Sequence, residues 1–146
     1  MSNNTNININ NTEILCVGGT CINNNVIYHA HCKLCNLSYF GKTTMPLANR
    51  INGHFSGIKT IITRTEREPE YKIPDELAIS AHAHVCHEAI SRNEFNKLYT
   101  FSIVEKDVTP KNLVIREQHF INKYHTFVPL GLNISNPIGL HALLAL

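Results

Sequence analysis

At 146 residues, 43% of them hydrophobic and 16% charged, the chain is long enough to bury one core and too short for two, and no stretch approaches the ~20 apolar residues of a membrane-spanning helix. A formal net charge of +2 permits a nucleic-acid partner without demanding one, and Lys33, Lys42, Arg50, Lys59, Arg64 and Arg67 make the first half basic before a short acidic patch at Glu66, Glu68 and Glu70. Five cysteines, an odd count, behind a polar N-terminus without a secretory leader predict an intracellular protein, cytoplasmic or nuclear, whose cysteines are thiols or metal ligands rather than a disulfide framework.

Residues 1–12 are rich in Asn, Thr and Ile without a core pattern and read as a disordered tail, which leaves 13–146 as a single domain. Glu13 to Val17 reads as a short extra strand before Gly18-Gly19, with Cys16 and Cys21 around that turn as ordinary thiols. Val26-Ile27-Tyr28 and Leu37-Ser38-Tyr39-Phe40 are two β-type runs. The polar link between them, with Cys32-Lys33-Leu34-Cys35, makes a hairpin closed by Gly41. Tyr28 and Tyr39 share a face if the register allows.

Pro46 then opens a helix with Leu47, Ile51, Phe55 and Ile58 at helical spacing. Arg50 and His54, four apart beside that stripe, lean back over the hairpin. Thr60 to Pro74 reads as a long solvated connection. From Pro74-Asp75-Glu76 a helix is predicted to about Ile90, with Leu77, Ala78, Ala81, Val85 and Ala89 inward and His82, His84, Cys86 and His87 also on it. Tyr99 to Val104 alternates as a third strand. Thr109-Pro110 starts the last helix, to about Tyr124; residues 129–133 carry turn chemistry, and the apolar tail from Ile138 covers the core. The expected fold is α+β: a small three-stranded antiparallel sheet flanked by helices, in the order β-β-α-α-β-α.

Two features carry chemistry. Glu117 sits among Leu113, Val114, Phe120, Ile121 and Tyr124 on the inward face of the last helix. A carboxylate there needs a counter-charge, for which Arg50 is the candidate, or a metal ion. Cys32-x-x-Cys35 in a hairpin link suits a knuckle donating two thiolates to a structural Zn²⁺. The dense supply of further ligands is the His82-x-His84-x-Cys86-His87 cluster. Regular helix geometry joins His84 with His87, or His82 with Cys86, but not all four. Free thiols beside a coincidental histidine cluster, or a thiol redox pair, are the alternatives.

From Val26 to Ile134 the chain resembles the GIY-YIG nucleases. The matching elements, in the family's order, are Val26-Ile27-Tyr28, Tyr39-Phe40-Gly41, Lys42-Thr43-Thr44, Arg50, His54, the Arg116-Glu117-Gln118-His119-Phe120-Ile121 helix and Gly131-Leu132-Asn133. Val26 stands where the family's first triplet has glycine. The resemblance implies a divalent-metal-dependent endonuclease that hydrolyses DNA phosphodiesters. Glu117 would bind Mg²⁺ or Mn²⁺, Arg50 would clamp the phosphate in the transition state, and Lys42 would contact substrate. Tyr28 would be the general base, with Tyr39 beside it, His54 orienting or relaying, and Asn133 tying the site together. A tyrosine base needs a cationic neighbour, Lys42, Arg50 or the metal, to lower its pKa. A CxxC between the two tyrosine motifs is similar to members associated with mobile elements. The competing expectation is a non-catalytic, zinc-stabilised nucleic-acid-binding module of the same fold. DNA is the expected partner in the first reading and no membrane in either; oligomeric state is left open.

Overall fold

The computed structural model describes residues 23–144 and, as backbone, 5–9 and 12–16. Strands β1 (Thr5–Ile9) and β2 (Thr12–Cys16) pair antiparallel. β2 matches the extra strand expected at Glu13 to Val17. β1 departs from the expected disordered tail: Thr5, Ile7 and Ile9 alternate with asparagines, which is the period a strand requires. The rest of the first 22 residues, Cys21 included, lie outside the described set.

The main sheet is three-stranded, antiparallel and ordered β4-β3-β5, with β3 at Val26–Cys32, β4 at Ser38–Thr43 and β5 at Tyr99–Glu105. The fold is thus α+β with a small sheet, as expected. Asn36 turns the hairpin in the left-handed region, φ 62°, a conformation asparagine tolerates. Tyr28 stands opposite Gly41 and Ala30 opposite Tyr39, so the two tyrosines share a face and their rings lie 6.3 Å apart. Side chains alternate across the sheet. Tyr28, Ala30, Cys32 and Tyr39 join one apolar cluster with α1 (Leu47–Arg67) and α2 (Ala78–Ala81). Ile27, Phe40 and Val104 join another with α4 (Leu113–Tyr124).

Three further elements differ from the sequence reading. α1 runs 21 residues to Arg67, replacing most of the connection expected after Thr60, because Ile58, Ile61 and Ile62 continue its apolar stripe and the chain meets Pro69 only later. The single helix expected from Pro74 to Ile90 is a 3-10 turn (Asp75–Leu77), then α2, then a π-helical turn (His82–Cys86). α3 (Arg92–Leu98) was not expected; Ser91 and Glu94 form a reciprocal capping box at its start. A last short helix, α5 (Leu140–Leu144), buries Leu143, in keeping with a tail that covers the core.

Burial of neutral histidines gives the fold a pH dependence. His29 is fully buried; its Nε2 meets Ser38 Oγ at 3.0 Å and its Nδ1 has no partner among the described residues. Desolvation, with His31 adding, lowers its pKa from 6.5 to about 3. The unfolded chain therefore binds the extra proton first, and stability falls as pH drops below 6.5 toward 3. The free energy of urea unfolding should decline across that window, and His29→Gln should flatten the decline; an identical slope in the variant would remove His29 as its source.

Candidate active site and metal centre

β4 is an edge strand, and a cleft forms along its free edge. The segment after α4 closes part of that edge: Leu132 N–H donates to Ser38 O at 2.9 Å, and Asn133 spans the backbone of Phe40. Its Oδ1 accepts the Phe40 N–H at 2.9 Å and the Thr126 hydroxyl at 2.8 Å, and its Nδ2 donates to Phe40 O at 2.8 Å and to Asp75 Oδ1 at 3.2 Å. Every polar slot of a fully buried amide is used. A Cβ at Gly131 would collide with the backbone of Thr126, so the turn that delivers Asn133 needs glycine there. Expected as the residue that ties the site together, Asn133 occupies a bracing position.

The remaining edge opens into a cleft of about 750 Å³. Lys42 from β4, Arg50 from α1, Asp75 and Glu76 from the 3-10 turn, and Glu117 from α4 supply its charged groups, and Tyr39 from β4 borders it; Met45, Val114 and Phe127 contribute apolar wall. Glu117 is 4% exposed, and Lys42 Nζ lies 3.4 Å from its Oε1. Its counter-charge is therefore Lys42 and not Arg50, because Lys42 shares the α4 side of the sheet. Arg50 instead donates from Nη2 to Glu76 O at 3.1 Å. Burial raises the pKa of Glu117, with Lys42 opposing and Asp75 adding to the rise.

The two tyrosines differ. Tyr28 is fully buried, its hydroxyl 2.6 Å from His54 Nε2, and it does not line the cleft. Its ring lies so close over Gly41 that a Cβ there would overlap Cζ and Oη; glycine at position 41 makes room for it. Cationic lowering of the tyrosine pKa was expected. Desolvation wins instead and raises Tyr28 well above its ordinary value, although Arg50 opposes it. His54 is itself buried and held well below 6.5, first by desolvation and then by Arg50, so it meets the Tyr28 hydroxyl as a neutral ring. Tyr39 does border the cleft; its hydroxyl donates to Asp75 O at 3.3 Å and lies 3.5 Å from Asp75 Oδ2. Burial raises its pKa as well. Asp75 is the cleft residue that sequence reasoning placed only as a helix-start acid.

The second centre lies at the other end of β3. Cys32, Cys35, His82 and His87 offer ligand atoms that all fall within 4.8 Å of one another, so these four lie close enough to hold a metal ion. Cys35 Sγ is 3.4 Å from His82 Nε2 and Cys32 Sγ 3.5 Å from His87 Nε2. The histidine pair is neither of those that α-helical spacing allowed. The π turn bonds i to i+5, which brings residues five apart onto one side, and the His82 and His87 rings meet with centroids 4.7 Å apart. His84 is diverted to Ala89 O at 3.2 Å, and Cys86 is a free, exposed thiol. Tyr99 Oη donates to Ile79 O at 3.3 Å and sits 2.6 Å from His82 Nδ1. In the tautomer in which His82 Nδ1 donates to Tyr99 Oη, the Tyr99 proton goes to Ile79 O and Nε2 keeps its lone pair toward the cysteines. Desolvation, with His87 adding, lowers His82 to about 4, and burial pushes the Cys35 thiol up, the opposite of an activated redox thiol.

Among the described residues, no helix is long and apolar enough to cross a membrane. In comparisons with known proteins, no protein-family model, no curated protein and no solved structure matches the chain.

Proposed function

We propose that this chain is a divalent-metal-dependent endonuclease of the GIY-YIG type that hydrolyses DNA phosphodiester bonds. The observation that carries the reading is convergence: Tyr39, Lys42, Arg50 and Glu117 come from three separate elements to one cleft, braced by Asn133. The lining fits a hard cation, because the carboxylate Glu117 borders a cleft with no thiol or imidazole among its described lining residues. Glu117 would hold the Mg²⁺ or Mn²⁺, and such an ion supplies polarisation of the phosphate and stabilisation of the departing oxygen. Arg50 would clamp a non-bridging oxygen with its planar, permanently charged fork. Lys42 would neutralise phosphate charge at the cleft mouth. Tyr28, turned inward onto His54, is withdrawn, so the tyrosine that meets a water is Tyr39. Arg50→Ala should slow cleavage by ~10²-fold or more at saturating metal, the scale of losing one preorganised transition-state contact; cleavage at the wild-type rate would remove Arg50 from the reaction.

We also propose that the ion at Cys32, Cys35, His82 and His87 is Zn²⁺ with a structural role. Two thiolates and two imidazoles make a closed tetrahedral set of the borderline-soft type zinc prefers, and it joins the hairpin to the π turn. A second reading, a zinc-stabilised nucleic-acid-binding module without catalysis, draws on the burial of Tyr28 and on the Lys42–Glu117 pair. DNA binding without metal-dependent cutting by folded protein would select it.

A further inference from the structure

Asp75 bonds to the fold with one oxygen and to a tyrosine with the other. Its Oδ1 accepts the Ile134 N–H at 2.7 Å and the Asn133 Nδ2–H at 3.2 Å. Its Oδ2 faces Tyr39 Oη at 3.5 Å, and that hydroxyl also reaches the Asp75 carbonyl at 3.3 Å. The carboxylate is thus fixed by the same turn that delivers Asn133, and it is aimed at the one tyrosine of the pair that borders the cleft.

A water cannot easily give its proton to a tyrosine that keeps its own. Tyr39 is 2% exposed with acids around it, and a free phenolate there would be unpaired and desolvated. A carboxylate on the same hydroxyl removes that cost, because the tyrosine passes its proton on as it receives another. From this geometry we infer that Asp75 is a positioning residue for the hydrolysis, acting through Tyr39; the inference rests on the nuclease reading. The O–H bond of the attacking water breaks as its proton joins Tyr39 Oη, and the original Tyr39 proton moves to Asp75 Oδ2. The hydroxide oxygen bonds to phosphorus, the phosphorus–oxygen bond to the leaving group breaks, and that oxygen takes a proton from solvent. Burial raises the proton affinity of Asp75, Glu76 adds to the rise, and Lys42 with the Ile134 and Asn133 hydrogen bonds opposes it. The contacts of Tyr39 with Asp75 are long for O–H···O bonds, and such bonds commonly tighten only in the substrate complex.

The test is single-turnover cleavage of a duplex oligonucleotide in Mg²⁺ by wild type, Asp75→Asn, Tyr39→Phe and the double variant, with duplex affinity and Tm measured in parallel. The side-chain amide of Asp75→Asn keeps an oxygen for the Ile134 N–H while losing the charge and the proton acceptor. Expected is a loss of ~10²-fold in rate for Asp75→Asn, unchanged affinity and Tm, and a double variant no slower than Tyr39→Phe alone, because residues acting as a unit are not additive. Wild-type cleavage by Asp75→Asn or by Tyr39→Phe, or additive losses in the double variant, would overturn the relay. Should Asp75→Asn fail to fold, Asp75→Ser takes its place and is read against the same outcomes. If wild type cuts and needs Glu117 while Asp75→Asn is unaffected, the relay falls and the nuclease reading stands; if wild type never cuts, both fall.

Discussion

Replacing His87 or Cys35 is expected to release the metal from the cysteine–histidine centre and to destabilise the whole domain. Protein purified without added metal should carry about one zinc per chain, as a closed four-ligand structural site does. Cys35→Ser and His87→Ala should lose it, whereas His84→Ala and Cys86→Ser should keep it. That contrast is specific to the π turn: α-helical spacing would have paired His84 with His87 or His82 with Cys86, and one of the control variants would then fail. The effect on stability should be large because metal affinity becomes folding free energy when the site does not preform in the unfolded chain. A loss of only ~3 kcal/mol would lower Tm by about 10 °C in a domain of this size. The centre ties Cys32 at the end of β3 and Cys35 within the hairpin turn to His82 at the start of the π turn and His87 just past its end, so chelation should loosen the β3–β4 turn first. Equal zinc content in Cys35→Ser and wild type would remove the site.

Glu117→Ala is expected to abolish metal-dependent cleavage, by at least ~10²-fold, while leaving DNA affinity nearly unchanged. Glu117 is 4% exposed and is retained at a desolvation cost that its contacts with the Lys42 side chain and backbone offset only partly. The Lys42 side chain is 40% exposed, so the pair contributes little to folding and the variant should fold. Full activity in Glu117→Ala would remove the metal assignment.

Much of the scaffold was legible because it follows simple periods. Val26 to Tyr28 and Leu37 to Phe40 are β-type runs, Pro46 marks a helix start, and Tyr99 to Val104 is β-branched or aromatic; each formed the element its pattern implies. The second half of α1 was hidden by its own charges, since Arg64, Glu66 and Arg67 mask the stripe that Ile61 and Ile62 continue. α3 carries a readable signal in Ser91-x-x-Glu94, obscured because the seven-residue helix sits in a short gap between stronger patterns. The His82–His87 pairing could not be read at all from a period of 3.6, because it depends on a local change of helix type. Asp75 was legible as a residue that starts a helix, but its contacts with Tyr39, Asn133 and Ile134 join positions 36 to 59 apart, and only the folded edge of β4 brings them together. Tyr28 shows the converse: its place on the sheet face followed from register, whereas its withdrawal onto His54 depends on how α1 packs.

The most direct measurement is a plasmid-cleavage time course with the purified full chain in Mg²⁺, in Mn²⁺ and in chelator, with Glu117→Ala alongside and folding checked in each case. Expected is cutting in either metal, none in chelator and none by the variant. Folded wild type that binds DNA and leaves the plasmid intact in both metals would contradict the nuclease assignment and leave a metal-stabilised binding module in its place.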